Sequence, residues 1–442
     1  MSEPYWVAVV GAGPAGLFAA RELALNGAQV VVFNRDIKPG GLAEYGIYPE
    51  KFRIKEGLRS QFRLALGLPN LEYYGNLTIG AQGALTLEGL KQLGFQAVVV
   101  AVGAQGTKRL GLPGEDLKGV YHAKDLVFHY NRLPPFSQIH FEIGRRAAVV
   151  GVGNVALDIT RFLATLPQVE DVVAVARRGP GEVKFSRGEL EEVVALLDMQ
   201  DLDHELERCI PLMRLLGENP EDFLGLIHLA LEKASQHESH THFTLRFLAS
   251  PRRMLGDAAG RVCGLEVEDN TLVMRDGEIT ARSLGTLHTL TVDTVIFAIG
   301  DRVDEALGLP VHGGEYVKCP EPRFPVDGVS YEVCDPPNHQ PLEGFFVAGW
   351  SRRPSSGLVG VARRDGVACA RAVLQYLQTL QPLEEAPTFR LHERLSQLPQ
   401  PVVGKADLAR LEAAERARAA AAGLAEFKFA DNQSMLEAMG LG

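Results

Sequence analysis

A short glycine-rich turn near the start of the chain has the residue types and the spacing that suit the diphosphate of a dinucleotide. It reads Gly11-x-Gly13-x-x-Gly16 and lies between a buried apolar run and a helical pattern. The first glycine permits the tight turn, the second lets the backbone approach a diphosphate, and the third allows close packing of helix on strand. The N–H groups and the dipole at the start of the helix favour the negative charge. Because a strand precedes the turn and a helix follows it, we predict a dinucleotide site here.

A second turn of the same kind lies further along the chain and reads Gly151-x-Gly153-x-x-Ala156. Alanine is an accepted variant at the third position. Two arginines, Arg177 and Arg178, follow the next apolar run, at the position where NAD sites carry an acidic residue for the ribose 2′-hydroxyl. Guanidinium groups at this position suit the dianionic 2′-phosphate of NADP instead. The second turn is therefore predicted to bind NADP(H).

The first turn is then predicted to bind FAD. The residue after its second strand is Asn34, where an acidic residue is usual in dinucleotide sites. An asparagine brings no charge, but its amide can hydrogen-bond a ribose hydroxyl. Asp36 is close in sequence but out of register with the expected position. Asn34 is therefore our candidate for the ribose contact of FAD.

The composition disfavours several classes of function. The chain has 442 residues, of which 46% are apolar, and its formal net charge is −10. This acidic balance disfavours binding to nucleic acid or to anionic lipid. No apolar run approaches the roughly 18 residues of a membrane-spanning helix, and the N-terminus shows no targeting pattern, so we expect a cytoplasmic protein without membrane insertion. The five cysteines lack the spacing of a metal site or a redox pair, so neither is expected.

The order of apolar runs and helical patterns predicts an α/β protein with two Rossmann-like dinucleotide-binding domains. A strand–turn–helix–strand pattern begins at Trp6 and starts again near residue 145. The simplest arrangement inserts the NADP domain into the FAD domain. We predict the first part of the FAD-binding domain at residues 1–104, the NADP-binding domain at 105–315, and the second part of the FAD-binding domain at 316–442. This last part ends in a helical tail that packs peripherally.

Several longer segments resemble the adrenodoxin reductase family, flavoproteins that pass electrons from NADPH to ferredoxin-type iron–sulfur proteins. The NADP segment is similar in the stretches GVGNVALDITRFL and ARRGPGEVKFSRGELEE. Further similarity lies in YNRLPP, in GWSRRPSSGLVGVARRDG and in the ending FKFADNQSMLEAMGLG. The resemblance covers nearly the whole chain. It implies the family's fold and its two cofactors, FAD and NADP(H).

The resemblance also implies roles for residues at matching positions. Glu189 would contact the nicotinamide-nucleotide side of NADP(H). Glu192 would lie near the nicotinamide, one turn further along the same helix, and Trp350 would lie beside the flavin; both are catalytic candidates. The residues implied to cradle the NADP diphosphate are Gly153, Asn154, Val155 and Ala156. The residues implied to contact FAD are Ala15, Gly41, Leu42, Gly349, Trp350, Gly357, Leu358 and Val359.

A third catalytic candidate departs from the family's pattern. Lys51 lies in the stretch YPEKF, where the family usually has APDHP with a histidine close to the active site. A lysine keeps a positive charge near the flavin. It cannot shuttle protons near neutral pH unless its pKa is lowered.

The partner implied by the resemblance is ferredoxin or a similar small one-electron carrier. The arginine-rich helix that mammalian members present to acidic ferredoxins is hard to find, because the corresponding stretch has one lysine. The basic run KFRIKEGLRSQFR at residues 51–63, with Arg352 and Arg353, could dock an acidic partner instead. The competing interpretation of this run is a solvated helix face.

The predicted activity is hydride transfer from NADPH to N5 of FAD, followed by release of single electrons to the carrier, in a monomeric enzyme. Two alternatives stay open. The stretch GGLAEYGIYPEKFRIK also resembles the flavin segment of glutamate synthase small subunits, which would make the chain an electron-input subunit for a dedicated partner enzyme. The other alternative is a flavin-binding assembly protein with little turnover.

Overall fold

The computed structural model describes residues 4–236 and 238–442. Its strands are β1 (Trp6–Val10), β2 (Gln29–Phe33), β3 (Leu71–Tyr74), β4 (Ala97–Val100), β5 (Gly106–Thr107), β6 (Val120–His122), β7 (Arg146–Val150), β8 (Asp171–Val175), β9 (His242–Arg246), β10 (Ala249–Gly256), β11 (Val262–Arg275), β12 (Glu278–Leu290), β13 (Thr294–Phe297), β14 (Asp301–Arg302), β15 (Val311–His312), β16 (Glu315–Tyr316), β17 (Glu332–Cys334) and β18 (Pro341–Val347). Its α-helices are α1 (Pro14–Leu25), α2 (Leu42–Tyr45), α3 (Phe52–Leu66), α4 (Leu87–Leu93), α5 (Ala123–Tyr130), α6 (Asn154–Ala164), α7 (Arg187–Leu190), α8 (Met199–Leu215), α9 (Pro220–Leu231), α10 (Val359–Leu377), α11 (Thr388–Ser396), α12 (Lys405–Ala422) and α13 (Asn432–Met439).

The chain folds into two compact units. The first unit comprises the described part of Met1–Lys108 together with Phe128–Gln138 and Gly300–Gly442. The second unit comprises Arg109–Val127 and Ile139–Ile299. The assignment of FAD to the first unit and of NADP(H) to the second remains our proposal.

The first unit is built on a sheet with the strand order β17-β18-β4-β1-β2-β3, in which β17 is antiparallel to its neighbour and the other strands are parallel. Strands β1 and β4 are buried along their whole length, which explains their unbroken apolar sequence. From β1 the chain proceeds to β2 and β3 on one side of the sheet, whereas β4 and β18 lie on the other. The order therefore reverses beside β1, and α/β sheets bind ligands at the carboxyl edge of such a reversal.

The second unit repeats this plan with the parallel strand order β6-β13-β7-β8-β9. Here the order reverses beside β7, the strand that leads into the second glycine turn. A separate antiparallel sheet of the order β10-β11-β12 belongs to the same unit. Both glycine turns thus follow the strand at which their sheet reverses.

The sequence predicted the elements around the turns well. The α/β class is confirmed, and the second strand of the pattern that begins at Trp6 is β2. The helix predicted after the first glycine turn is α1, which starts at Pro14 because proline fits the first helical position. Among the described residues, no helix is both long and apolar enough to cross a membrane.

Candidate functional site

The first and third glycines of the first turn are required by the protein itself. Gly11 has φ +105°, and a Cβ there would lie 2.5 Å from the carbonyl oxygen of Ala101, just beyond β4. A Cβ on Gly16 would lie 1.9 Å from the carbonyl oxygen of Gly11. Both distances are far below any real carbon–oxygen contact, so these glycines hold the turn against the end of β4 and against α1.

The middle glycine of the first turn has no such reason within the protein. Gly13 has φ −76°, which any residue can adopt, and no described atom lies within 4 Å of where its Cβ would be. Gly13 is also the N-cap of α1, which has no side-chain cap and no acidic residue in its first turn. The space beside Gly13 and the helix N–H groups together fit the diphosphate of a dinucleotide.

A second pair of glycines forms a wall of this turn. The N–H of Gly40 donates a 2.7 Å hydrogen bond to the carbonyl of Ala12. Gly41 has φ +50°, and a Cβ there would lie 3.1 Å from Cα of Gly13. Leu42 follows and begins α2. The predicted FAD residues Gly13, Gly41 and Leu42 are therefore close together, and Gly40 joins them although the sequence analysis gave it no role.

Asn34 is buried beneath the first turn and braces it. Its Oδ1 accepts a 3.0 Å hydrogen bond from the N–H of Ala12. Its Nδ2 donates to the carbonyls of Asp36 at 2.8 Å and Lys38 at 3.0 Å. Both ends of the amide therefore have backbone partners. The ribose contact predicted for Asn34 stays a prediction, and the contacts that Asn34 makes in the structure support the turn.

The second turn repeats the geometry of the first. Gly151 has φ +129°, and a Cβ there would lie 2.4 Å from the carbonyl oxygen of Ala298, just beyond β13. Gly153 has φ −110° and no described atom within 4 Å of its Cβ position. It is the N-cap of α6, which has no side-chain cap and no acidic residue in its first turn. Ala156 is fully buried at the third position. The turn thus fits a second diphosphate in the same way.

The side chains predicted around the second turn have different surroundings. Oδ1 of Asn154 accepts a 2.7 Å hydrogen bond from the N–H of Ser186, so this side chain ties the start of α6 to a loop. Val155 is 41% exposed beside the open position. Asn154 therefore has its backbone, and not its amide oxygen, available to a diphosphate.

The two predicted phosphate-binding arginines follow β8 and are placed by a buried asparagine that sequence reasoning missed. Nδ2 of Asn270 donates a 2.9 Å hydrogen bond to the carbonyl of Arg177 and a 2.8 Å hydrogen bond to Oγ of Ser250. Arg177 is exposed, whereas Arg178 is half-buried and forms an ion pair with Glu182. No sequence motif marks Asn270, because it reaches the arginines from the distant strand β11.

Glu189 and Glu192 were predicted to lie one turn apart on the same helix, but in the structure they do not share a helix. Helix α7 ends at Leu190, so Glu192 lies beyond it. Oε2 of Glu192 is 3.0 Å from a guanidinium nitrogen of Arg161 and accepts a 3.1 Å hydrogen bond from Oγ of Ser235. Ser186 is the N-cap of α7, and its side chain accepts a hydrogen bond from the N–H of Glu189. The nicotinamide contacts of both glutamates stay predictions.

Trp350 lies in a one-turn 3₁₀ helix, Gly349–Ser351, directly after β18. Its Nε1 donates a 3.0 Å hydrogen bond to the carbonyl of Ser356. Gly349 has φ +64°, and a Cβ there would lie 2.6 Å from Cβ of Ala15. The predicted FAD residues Ala15, Gly349 and Trp350 are therefore neighbours in the first unit.

Asp365 on α10, which was not among the predicted site residues, fixes this segment. Its Oδ2 accepts a 2.6 Å hydrogen bond from the N–H of Gly349. Its Oδ1 accepts from Nε of Arg352 at 2.9 Å and from the guanidinium Nη2 at 2.5 Å. Arg352 is thus tied inward, which corrects its interpretation as part of a docking surface. Its place in the stretch RRDG was visible in the sequence, but its partners were not.

The start of α10 is the last predicted FAD segment. Gly357 has φ +74°, Leu358 is 67% exposed, and Val359 is the first helical residue. The helix has no side-chain cap and no acidic residue in its first turn. A Cβ on Gly366, two turns further on, would lie 2.2 Å from the carbonyl oxygen of Ala15, so α10 packs closely on α1 at this point. The N-termini of α1 and α10 are both free of acidic residues and suit electron-rich groups.

Lys51 precedes α3 and lines a cavity of about 590 Å³ in the first unit. The cavity walls come from the segments 49–55, 130–132 and 424–428. Two of its basic residues, Arg53 and Arg132, are exposed and form no ion pair within the described residues. The role of Lys51 beside the flavin stays a prediction.

Most of the basic run at residues 51–63 is used inside the protein, which corrects its interpretation as one docking surface. Lys55 is 1% exposed and lies 3.0 Å from Glu426 near the C-terminus. Arg59 forms ion pairs with Glu426 and, at 2.6 Å, with the buried Glu44. Arg63 pairs with glutamates as well. These basic side chains attach the C-terminal segment to α3. Arg53 is exposed and forms no ion pair within the described residues, so its charge is available to a partner.

Comparison with known proteins gives the family. Residues 5–181 match the family described as pyridine nucleotide-disulphide oxidoreductase. NADPH-ferredoxin reductase FprA of Mycobacterium leprae (strain TN) is 30% identical over 396 residues, which cover 81% of this chain and 81% of that protein. The chain belongs to the adrenodoxin reductase family. The mitochondrial NADPH:adrenodoxin oxidoreductase of Homo sapiens is 28% identical over 475 residues, covering 98% of this chain and 92% of that protein. A solved structure of Mycobacterium tuberculosis FprA in complex with NADPH has a TM-score of 0.82 at 26% identity, covering 99% of this chain and 100% of that one.

The cysteines of this adrenodoxin reductase family member are free thiols. Cys263 is exposed and the other four are buried. Burial raises the pKa of Cys209 and of Cys319 to about 12, and it raises the pKa of Cys369 well above its ordinary value. Because the thiolate is the reactive form, these buried thiols are poorly suited to carry electrons as a dithiol pair.

Proposed function

We propose that this chain is an NADPH-dependent flavoprotein reductase that passes electrons to a ferredoxin-type iron–sulfur protein. The observation that carries the proposal is the repeated geometry of the two turns. In each, the protein requires the first glycine for packing, whereas the middle glycine faces open space at an uncapped helix N-terminus. Two such sites in one chain of this family suit one flavin and one pyridine dinucleotide.

The residues of the first unit fit FAD. Gly13 and the start of α1 would bind its diphosphate, with Asn34 and Gly41 holding the turn in shape. The segment Gly357–Val359 at the uncapped start of α10 would face the electron-rich end of the flavin ring. Trp350 is held beside this region by its hydrogen bond to Ser356.

The residues of the second unit fit NADPH. Gly153 and the start of α6 would bind its diphosphate. Arg177 and Arg178 follow β8, where the 2′-position of the adenosine ribose is recognised. When bound, the two cofactors would supply the redox chemistry, which is hydride transfer from the pyridine nucleotide and one-electron release from the flavin. The chain's own residues bind and orient, and no protein nucleophile takes part.

The docking surface of the ferredoxin-type partner is proposed at the cavity lined by Arg53 and Arg132. Lys51, Lys55 and Lys428 also line it, against the acidic Glu50 and Glu426. Exposed Ile54 and Leu424 supply apolar contact area at the same place. A basic cavity on a chain of net charge −10 is complementary to an acidic carrier.

Steady-state kinetics tests the proposal. The purified protein should oxidise NADPH in preference to NADH with ferricyanide as acceptor, and it should reduce a ferredoxin measured by its absorbance change. If the protein turns over with ferricyanide but reduces none of the ferredoxins or flavodoxins tested, an input subunit for a dedicated enzyme is favoured. Co-purification with a large partner would support that alternative. Absence of turnover with any acceptor would contradict the proposed function.

A further inference from the structure

The two arginines of the proposed 2′-phosphate site are not equivalent. A guanidinium nitrogen of Arg178 lies 2.8 Å from a carboxylate oxygen of Glu182, four residues later. The Glu182 side chain is 11% exposed and the Arg178 side chain 32%, so the carboxylate of this pair is shielded from water and the guanidinium is partly open to it. Arg177 is exposed, and its side chain forms no ion pair within the described residues. One arginine therefore has a resident carboxylate partner and the other does not.

A second carboxylate faces the same short segment. A Cβ on Gly181 would lie 2.2 Å from an oxygen of Glu218, so the Glu218 carboxylate packs directly on the backbone beside Glu182. The Oε2 atoms of Glu182 and Glu218 are both buried without a hydrogen-bond partner among the described residues. Burial raises the pKa of both carboxyl groups, and Arg178 opposes this for both. Arg178 is thus the cation that two poorly solvated carboxylates share.

We propose that Glu182 and Glu218 determine the selectivity for NADPH by competing with the 2′-phosphate for Arg178. This inference rests on the proposed function, because it assumes that the 2′-phosphate binds after β8. Arg177 then supplies the main contact to the phosphate. Releasing Arg178 from the carboxylates would let it form a second charge-assisted contact, so the glutamates hold the selectivity below what two arginines can give.

The test compares four variants in the binding of 2′,5′-ADP, measured by calorimetry, and in kcat/KM for NADPH and NADH. Arg177→Ala should weaken 2′,5′-ADP binding roughly tenfold or more, because it removes the main contact to the phosphate. Arg178→Ala should weaken it by about threefold or less, because the carboxylates already hold Arg178. Glu182→Gln keeps the shape of the side chain and a hydrogen-bond acceptor for Arg178. Glu182→Gln and Glu218→Gln, made as separate variants, should each tighten 2′,5′-ADP binding about threefold or more. The efficiency with NADH should stay unchanged in both glutamine variants.

Glu170→Gln is the matched control. It removes one negative charge from the same unit, but Glu170 pairs with Arg145 at the opposite end of β8. It should leave 2′,5′-ADP binding unchanged, which excludes a general effect of net charge.

Two outcomes would overturn the inference: weaker or unchanged 2′,5′-ADP binding in both glutamine variants, or equal losses in the two alanine variants. If a glutamine variant fails to fold, the comparison of the two alanine variants still decides. Failure of the proposed function looks different, because the wild type itself would then bind no 2′,5′-ADP and oxidise no NADPH.

Discussion

Oδ1 of Asn34 accepts a hydrogen bond of 3.0 Å from the N–H of Ala12, inside the first glycine turn. The same side chain donates to two carbonyls, those of Asp36 and Lys38. Asparagine supplies an acceptor and two donors at one position, whereas aspartate supplies only acceptors. The neutral amide at this position is therefore explained by the turn it supports.

Asn34→Asp should destabilise the protein, although aspartate is the usual type of residue here in dinucleotide sites. A carboxylate would keep the bond from Ala12 but would face the two carbonyls without a proton to donate, at a cost of about 2 kcal/mol. Thermal unfolding and the ratio of bound flavin to protein measure the effect, with Asp36→Asn as a nearby control. Equal melting temperature and equal flavin content in Asn34→Asp would show that the bracing role is wrong.

Alanine at the middle glycines should separate folding from cofactor binding. A Cβ on Gly13 or Gly153 would have no described atom within 4 Å beyond the residue itself and its chain neighbours, so Gly13→Ala and Gly153→Ala should both fold. Gly13→Ala should lose flavin, and Gly153→Ala should keep flavin but raise KM for NADPH roughly tenfold or more, because the methyl group takes the place of the diphosphate.

Gly11→Ala serves as the contrasting variant for this pair. Its Cβ would collide with the carbonyl of Ala101, so it should fold poorly whatever the cofactor. Normal flavin content in Gly13→Ala, or normal KM in Gly153→Ala, would show that the open space holds no diphosphate.

The parts of the site that are local in sequence could be predicted, and the long-range parts could not. The turns Gly11–Gly16 and Gly151–Ala156 were identified because spacing, strand and helix all lie within one stretch of chain. Asn270 was missed because it contacts a segment 93 residues away. Asp365 is only 16 residues from Gly349, but its contact depends on how the fold brings α10 back against that segment. The basic run at 51–63 was misread for the same reason, since its partner Glu426 lies more than 350 residues away.

The buried Glu44 should make stability fall in acid. Burial raises the pKa of this carboxyl, but Lys38, Lys428 and Arg59 outweigh burial and hold the pKa well below 4.5. A carboxyl with a lowered folded pKa stabilises the protein above its unfolded pKa, and this stabilisation is lost as pH falls through the folded value. The unfolding free energy of the wild type should therefore decrease below about pH 4.5.

Glu44→Gln measures that contribution. It should lower the unfolding free energy at pH 7 by about 3 kcal/mol, because the buried Lys38 and Lys428 and the partly exposed Arg59 lose their shared partner. It should also flatten the decrease below pH 4.5. Glu412→Gln, which breaks a half-exposed pair with Arg63, should change stability by less than about 0.5 kcal/mol. A Glu44→Gln variant that is as stable as the wild type at pH 7 would contradict this reading of the cluster.

Charge reversal at the proposed docking cavity should impair the protein acceptor alone. The test uses a ferredoxin that the wild type reduces. At low salt, Arg53→Glu with Arg132→Glu should raise the KM for this ferredoxin roughly tenfold, and the difference in KM should be smaller at 0.5 M salt. The rate with ferricyanide should stay within about twofold, because small acceptors need no docking surface. Arg275→Glu with Arg282→Glu reverses two exposed charges on the β11–β12 hairpin and is the matched control. Equal KM values for the two double variants would place the docking surface elsewhere.

The central claim is that one chain binds a flavin and NADPH and moves electrons from the second to the first. Anaerobic mixing of the purified protein with one equivalent of NADPH, followed by visible absorbance, tests it most directly. We predict a yellow protein with a bound-flavin band that bleaches on addition of NADPH and returns on addition of an oxidised ferredoxin. A protein that carries no flavin and takes up none on reconstitution with FAD, or whose flavin band is unaffected by NADPH, would contradict the claim.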